Sequence, residues 1–181
     1  MDTYKLKFTK LQNEIFRLLC VFAGENLNKR EIALKLKVSP TAVANSIGLL
    51  EKENLILVKK EKKINLTYVS FNRDSQKAIN FKKIENFKLI YEANIQSFLF
   101  EEFPGSTIVL FGSYAHGEDV ISSDVDIAII GTKKHEINLK KFEDFLNRDI
   151  NLNFYRDWKS IHSDLKNNIL NGIVLSGRVV L

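Results

Sequence analysis

The fold of the C-terminal part is decided by Gly112-Ser113-Tyr114-Ala115-His116-Gly117, followed after five residues by Ser123-Asp124-Val125-Asp126-Ile127. Gly112 and Ser113 come directly after an apolar segment that predicts a strand over 107–111, and a helix is predicted to follow them. Backbone N–H groups and a hydroxyl at the start of a helix suit a phosphate group. The sequence therefore predicts a phosphate-binding turn at Gly112 and Ser113.

Two aspartates, Asp124 and Asp126, stand at the start of the next predicted strand, which covers residues 125–131. Because side chains alternate along a strand, both carboxylates point to one face while Val125 and Ile127 point to the core. Two carboxylates beside a phosphate-binding turn suit a divalent metal, since Mg²⁺ prefers oxygen ligands. We therefore predict that Asp124 and Asp126 are metal ligands.

The combined pattern resembles the signature of the minimal nucleotidyltransferases of the DNA polymerase β superfamily, and the likeness covers about residues 100–181. The resemblance implies a mixed sheet flanked by helices, in which Gly112 and Ser113 hold the β,γ-phosphates of a nucleoside triphosphate, with ATP expected. It also implies that Asp124 and Asp126 are the catalytic residues and bind two Mg²⁺ or Mn²⁺ ions. The expected reaction is transfer of a nucleotidyl group to an acceptor.

One part of the family pattern, a third carboxylate on a later strand, has no clear match in residues 149–155. The polar residues of this segment, Asp149, Asn151 and Asn153, alternate with apolar residues and so share one face of the strand. The missing acid aligns with Asn151 or Asn153, whose neutral amide can ligate a metal weakly but cannot act as a base. Asp149 substitutes for it if the strand is shifted. This difference leaves catalysis open.

Positive charge is concentrated at the other end of the chain. Residues 1–72 carry 13 Lys and Arg against 7 Asp and Glu, a net charge of +6, whereas the whole chain carries +5. The same segment predicts three short helices, with start signals at Asn28 and at Ser39-Pro40, and then a hairpin with a lysine-rich tip. Such a charge asymmetry indicates a polyanionic partner for this part.

This segment resembles a winged helix-turn-helix domain across about residues 8–71, on the patterns within Glu31–Val43 and Leu49–Ile56. The resemblance implies double-stranded DNA as a partner, with the helix over 39–53 in the major groove and the hairpin on the DNA backbone. The candidate base contacts are short polar side chains: Ser39, Thr41, Asn45 and Ser46. The candidate phosphate contacts are lysines: Lys35, Lys37, Lys59, Lys60, Lys62 and Lys63.

The predicted fold class is therefore α+β, with a winged helix-turn-helix domain over 1–72, a helical connector over 73–102 and a nucleotidyltransferase domain over 103–181. The sequence of the connector predicts one long helix or two, whose apolar face suits either a homodimer or packing on one of the chain's own domains. In the last domain we expect a helix from Asn138 to Arg148, and two closing strands over 173–175 and 179–181.

A single cysteine, Cys20, cannot form an intrachain disulfide and is expected in the core. With no apolar run of about 18 residues and no signal peptide, we expect a cytoplasmic protein that does not bind membranes. Two functions remain open. In the first, the chain is a DNA-binding protein with an active Mg²⁺-dependent nucleotidyltransferase domain. Alternatively, it is a transcriptional regulator whose impaired domain acts as a nucleotide sensor or as an antitoxin-like module that binds a protein.

Overall fold

The computed structural model of the chain describes residues 8–61 and 66–180. The chain divides into two compact units, Met1–Lys82 and Lys83–Leu181. The division falls inside the segment 73–102, for which the sequence predicts a connector. No helix in the described part of the chain is long and apolar enough to span a bilayer.

The first unit contains three helices and a three-stranded antiparallel sheet with strand order β1-β3-β2. Its elements in chain order are α1 (Lys10–Val21), β1 (Leu27–Asn28), α2 (Lys29–Leu36), α3 (Pro40–Lys52), β2 (Ile56–Glu61) and β3 (Leu66–Phe71). This order of helices and strands is that of a winged helix-turn-helix domain, so the predicted fold of this part is confirmed. The predicted tip lysines Lys62 and Lys63 lie outside the described residues.

The turn between α2 and α3 is set by local hydrogen bonds. The side chain of Asn28 accepts from the N–H groups of Arg30 and Glu31 at 2.9 and 3.1 Å, while the Glu31 carboxylate accepts from the Asn28 N–H. Helix α2 ends at Lys37, whose φ of 55° is left-handed, and Ser39 caps α3 by accepting from the Ala42 N–H. The predicted start signals of both helices are therefore confirmed.

A single apolar core lies beneath these elements. Ile15, Leu19, Val43 and Leu50 are completely buried, and the strand residue Val69 packs with them. Cys20 belongs to the same core, with 1% of its surface exposed, so its predicted packing role is confirmed. The apolar face of α1 therefore packs against the sheet and against α2 and α3.

The second unit contains a four-stranded mixed sheet with strand order β6-β5-β4-β7, in which only β5 and β6 are parallel. Helix α4 (Gln76–Glu92) begins in the first unit and continues into the second. The remaining elements are α5 (Ile95–Glu102), β4 (Thr107–Phe111), α6 (Gly112–His116), β5 (Val125–Ile130), α7 (Lys140–Leu146), β6 (Ile150–Tyr155), α8 (Ser163–Leu170) and β7 (Ile173–Ser176). The predicted mixed sheet flanked by helices is confirmed.

Alternation along the strands gives the sheet two buried faces. Val109, Phe111, Ala128 and Ile130 form one face, which packs against Trp158, Ile161 and Ile169. Ile108, Leu110, Ile127 and Ile129 point the other way and are also fully buried. Asp126 lies two residues before Ala128 on β5, so the two side chains point to the same face of the sheet. This is the face against which α8 packs.

Two elements differ from the sequence-based expectations, whereas the connector adopts one of its two predicted forms. The connector consists of two helices, because Asn94 adopts a left-handed φ of 60° between α4 and α5. The predicted helix over 138–148 is shorter, and ends where Asn147 becomes left-handed. The second closing strand was predicted wrongly: Val179 and Val180 form no strand, and Leu181 lies outside the described residues. Gly177 turns the chain away after β7, at a φ of 75°, where a Cβ would lie 2.7 Å from the Ser106 oxygen.

Replacing Asn28 by Ala removes the side-chain oxygen that accepts two N–H groups at the start of α2. We expect the free energy of unfolding to fall by about 1 kcal/mol, measured by chemical denaturation. Asn45→Ala is the matched control, because Asn45 is exposed in the middle of α3 and Ala favours helix there. Equal losses in the two variants would contradict a capping role for Asn28.

Candidate functional site

The Gly-Ser turn lies between β4 and α6. Gly112 has a φ of 73°, and a Cβ at this position would lie 3.0 Å from the Oδ2 of Asp126. The position therefore requires glycine for two reasons, a left-handed backbone and the close approach of a carboxylate. The predicted helix after the turn has only five residues, Gly112–His116, so a phosphate here would rely on the first N–H groups of one helical turn.

Both predicted aspartates lie beside this turn. Asp126 is the second residue of β5 and pairs in register with Phe111, the residue just before Gly112. Asp124 precedes β5 and is exposed, whereas Asp126 is half-buried. The strand pairing thus brings the turn and the two carboxylates into one site.

Asn151 is the residue of β6 that faces these carboxylates. It pairs in register with Asp126, because β5 and β6 run parallel without a shift. Its Nδ2 donates to the Oδ2 of Asp124 at 2.9 Å and to the Oδ1 of Asp126 at 3.5 Å. Of the three residues predicted for the third position, Asn151 is therefore the one that contacts both aspartates.

The two other candidates for the third position are placed differently. Asn153 lies opposite Ala128, and its Nδ2 donates to the backbone oxygen of Asn151 at 3.4 Å. Asp149 is exposed and accepts from the Val125 N–H through its backbone oxygen at 2.8 Å. Its side chain lines a cavity of about 340 Å³ together with Asp124. Because β6 is not shifted relative to β5, Asp149 lies two residues before Asn151, which is the residue paired with Asp126.

The electrostatics of the site follow from this arrangement. Burial raises the pKa of Asp126, the hydrogen bond from Asn151 opposes that shift, and the neighbouring Asp124 carboxylate adds to it. Burial and the charge of Asp126 also raise the pKa of Tyr155. Asn151 therefore acts as a neutral donor between two carboxylates that repel each other.

The donor set can be tested against the divalent metal that the family pattern implies. Among residues 8–61 and 66–180, no group of three or more His, Cys, Asp or Glu side chains is arranged to hold a metal ion. Mg²⁺ commonly binds through one or two carboxylates, with water and the phosphates of a substrate completing its shell. Asp124 and Asp126 fit that mode, whereas an all-protein metal site does not fit the residues present.

A buried polar cluster beside the site was missed in the sequence. Arg148 and Asp119 form an ion pair at 3.3 Å, with side chains 1% and 0% exposed. Asn86 of α4 donates to the Oδ1 of Asp119 at 2.7 Å and to the backbone oxygen of Tyr114 at 2.9 Å. Asp119 lies in the spacer between Gly117 and Ser123, where no residue pattern distinguishes a buried acid from an exposed one.

In the first unit, the four predicted base contacts fall into two groups. Thr41 and Asn45 are exposed on α3. The Ser39 hydroxyl accepts from the Ala42 N–H at 3.1 Å, and the half-buried Ser46 hydroxyl donates to the Ala42 oxygen at 2.8 Å. The two serine hydroxyls therefore take part in the helix itself, which leaves Thr41 and Asn45 as the available side chains.

The four predicted phosphate-contacting lysines that the structure describes, Lys35, Lys37, Lys59 and Lys60, are exposed. The Lys35 ammonium lies 4.2 Å from the centre of the Phe22 ring. Lys29 and Arg30, which the sequence did not single out, line a cavity of about 500 Å³ together with Thr41. Their place at the start of α2 was the signal that could have found them, since α2 precedes the helix predicted to contact DNA.

Comparison with known proteins gives two kinds of likeness. A family model described as "Polymerase beta, Nucleotidyltransferase" matches residues 93–180. No curated protein matches the sequence. Among solved structures, the chain is similar to the adhesin competence repressor AdcR of Streptococcus pyogenes, with 21% identity and a TM-score of 0.42 over 56% of this chain and 71% of that chain.

Two further structures show the same degree of similarity. The zinc-responsive MarR family member ZitR of Lactococcus lactis has 23% identity and a TM-score of 0.40, over 57% of this chain and 68% of that chain. MepR of S. aureus, in a complex with DNA, has 19% identity and a TM-score of 0.39, over 52% and 73%. Likenesses this weak assign no function.

Replacing Gly112 by Ala tests the close approach between the turn and Asp126. A left-handed alanine costs about 1–2 kcal/mol, and its Cβ crowds the Asp126 carboxylate, so the free energy of unfolding should fall by at least that amount. Gly48→Ala is the control, because Gly48 lies in α3 with no atom within 4 Å of an added Cβ, and this change should stabilise the protein. A Gly112→Ala protein as stable as the unchanged chain would refute the geometry.

Proposed function

We propose that the part of the chain matched by the polymerase β nucleotidyltransferase model, residues 93–180, binds a Mg²⁺–nucleoside triphosphate and regulates DNA binding by the winged helix-turn-helix unit. The proposal assigns the phosphates to the Gly112-Ser113 turn and the metal to Asp124 and Asp126. It makes the chain a nucleotide-responsive DNA-binding protein in which transfer of the nucleotidyl group is slow.

Nucleotide binding is supported by the close packing of the turn against the carboxylates. The Gly112 backbone lies close to Asp126, since a Cβ at this position would lie 3.0 Å from the Asp126 Oδ2. A phosphate bound at the turn would therefore lie beside Asp124 and Asp126. A divalent cation shared by the phosphates and the two carboxylates would neutralise both partners, as is usual for Mg²⁺ in nucleotide sites.

Slow transfer is supported by one observation above all, the contact of Asn151 with both aspartates. Its Nδ2 donates to Asp124 and to Asp126, at the place where the family pattern has a third carboxylate. An amide cannot accept a proton from an acceptor hydroxyl, so general-base assistance is missing there. General-base catalysis contributes about 10²–10⁴-fold to such reactions, and its loss favours binding over turnover.

DNA binding is supported by the topology and charge of the first unit. In winged helix-turn-helix domains the second helix of the turn motif enters the major groove; in this chain that helix would be α3, on which Thr41 and Asn45 are exposed. Lys59 and Lys60 are exposed on β2, the first strand of the hairpin, where they would contact phosphates. The net charge of +6 over residues 1–72 suits a polyanion.

An active nucleotidyltransferase is the second candidate function. The intact Gly112 turn and the presence of both Asp124 and Asp126 favour it, since these residues would still bind and orient the triphosphate. The homodimer, the antitoxin-like protein partner and the cytoplasmic location remain predictions. Exposed apolar side chains on α4, Ile84 and Tyr91, are 62% and 48% exposed and support a homodimer.

ATP binding by the purified chain should require both Mg²⁺ and Asp124. We expect isothermal titration calorimetry to detect Mg²⁺–ATP binding that EDTA abolishes and that Asp124→Asn weakens at least about tenfold, or 1.4 kcal/mol. Asp157→Asn is the control, because Asp157 caps the turn at Ser160 and lies outside the site. Binding that survives EDTA or Asp124→Asn would contradict the proposed site.

Changing Asn151 to Asp should increase nucleotidyl transfer, because it supplies the missing base. With α-labelled ATP and Mg²⁺, we expect label transfer or pyrophosphate release to rise at least about tenfold. Asn153→Asp makes the same charge change on the same strand face, two residues away, and should leave the rate unchanged. Fast transfer by the unchanged chain would favour the second candidate, and an inactive Asn151→Asp variant that still binds ATP would oppose our explanation.

Binding of the full chain to duplex DNA should depend on salt and on the hairpin lysines. Lys59→Ala/Lys60→Ala should reduce the slope of log K against log salt by up to about 0.9 per lost phosphate contact. Lys133→Ala/Lys134→Ala removes the same charge from exposed lysines of the second unit and should not change the slope.

Mg²⁺–ATP should shift the DNA affinity of the unchanged chain but not that of Asp124→Asn; equal affinities with and without ATP would contradict regulation by nucleotide.

A further inference from the structure

We propose that Asp119 and Arg148 are positioning residues of the nucleotide site, whose buried ion pair holds Asp124 and Asn151 in their mutual geometry. This inference rests on the proposed function, because it concerns the same site. Both side chains are almost completely buried, with 1% of Arg148 and 0% of Asp119 exposed. Each acts through the segment of chain that carries a site residue.

The pair joins two segments of the chain that each lead to a site residue. Asp119 lies in the loop from Gly117 to Asp124, which ends in the exposed carboxylate of the site. Arg148 lies in the turn between α7 and β6, three residues before Asn151. Their contact at 3.3 Å therefore joins the loop before β5 to the turn before β6.

Arg148 is also hydrogen-bonded to the backbone around it. The Arg148 guanidinium donates to the Asn147 backbone oxygen at 2.9 Å. The backbone N–H of Arg148 donates to the backbone oxygen of Glu143 at 3.2 Å. The Glu143 carboxylate in turn accepts from the N–H of Ile150, the first residue of β6, at 3.2 Å. Arg148 is thus fixed to the end of α7 and to the start of β6.

The same buried cluster is hydrogen-bonded to the segment that follows the Gly-Ser turn. Asn86 donates from one amide nitrogen to the Asp119 carboxylate and to the backbone oxygen of Tyr114, and it is only 3% exposed. Tyr114 follows Ser113 in α6. The segments that carry the phosphate turn, Asp124 and Asn151 are therefore all joined by one buried polar cluster.

Stability alone is a poor reason for such a pair. Burying two charges carries a large desolvation cost, and replacing both partners by apolar residues of similar size is often neutral or stabilising. Removing one partner leaves a buried charge and destabilises strongly. A double apolar replacement therefore separates a positioning role from a structural one.

The experiment compares Asp119→Leu/Arg148→Met with the unchanged chain in three measurements. These are the melting temperature, the NMR shift of the Asn151 side-chain amide without nucleotide, and the affinity for Mg²⁺–ATP. We expect a melting temperature within a few degrees, a displaced Asn151 amide signal, and affinity at least about tenfold weaker. A folded double variant with an unchanged amide signal and unchanged affinity would overturn the positioning role.

The matched control is Lys88→Met/Glu92→Leu, which replaces an ion pair at 3.8 Å on α4 whose side chains are 53% and 36% exposed. It should change neither the Asn151 amide signal nor the affinity. Should the double variant not fold, Arg148→Lys keeps the buried charge but loses the planar fork that donates to both Asp119 and the Asn147 oxygen. A displaced Asn151 signal then supports positioning, and an unchanged one overturns it.

The two proposals fail in different ways. Absence of Mg²⁺–ATP binding by the unchanged chain would refute the proposed function, while the Asn151 amide signal would still test the positioning role by itself. Normal ATP binding with an Asn151 signal that is insensitive to Asp119 and Arg148 would refute only the positioning role. Arg148→Lys, which retains the charge, should restore part of the affinity that Arg148→Met loses.

Discussion

The pairing of β5 with both of its neighbours is the constraint on which the second unit depends. Phe111, Asp126 and Asn151 lie in one row across three strands, because β5 is antiparallel to β4 and parallel to β6. A slip of one residue would turn Asp126 into the core and bring Ile127 to the site. The buried residues on the core-facing side of β5, Val125, Ile127 and Ile129, oppose such a slip.

This row also sets the electrostatic character of the site. Two carboxylates and an amide donor balance better in the absence of a cation than three carboxylates would, because Asn151 donates hydrogen bonds to both acids. With Asn151 in place of a third carboxylate, the site also lacks one anionic ligand and the group best placed to accept a proton. This balance of charges is the basis on which we propose that the site binds a cation with a nucleotide and transfers the nucleotidyl group slowly.

Local signals in the sequence predicted most of the fold but only part of the site. Asn28, Ser39 and the period of two around Asp124 and Asp126 predicted helix starts and a shared face correctly. Choosing among Asp149, Asn151 and Asn153 required the register between β5 and β6, which depends on contacts far apart in sequence. The buried Asp119–Arg148 pair has no local signal either, since burial of a charge is decided by tertiary packing.

The one parallel pairing of the sheet has a consequence for how the protein folds. Residues 131–149, which include α7, must cross over before β6 can pair with β5, whereas Gly112 and Asp126 are joined by a short antiparallel connection. Non-local pairings form later because loop closure must come first. From this difference we expect the pairing of β4 with β5, which brings the turn to Asp126, to form before Asn151 of β6 joins the site.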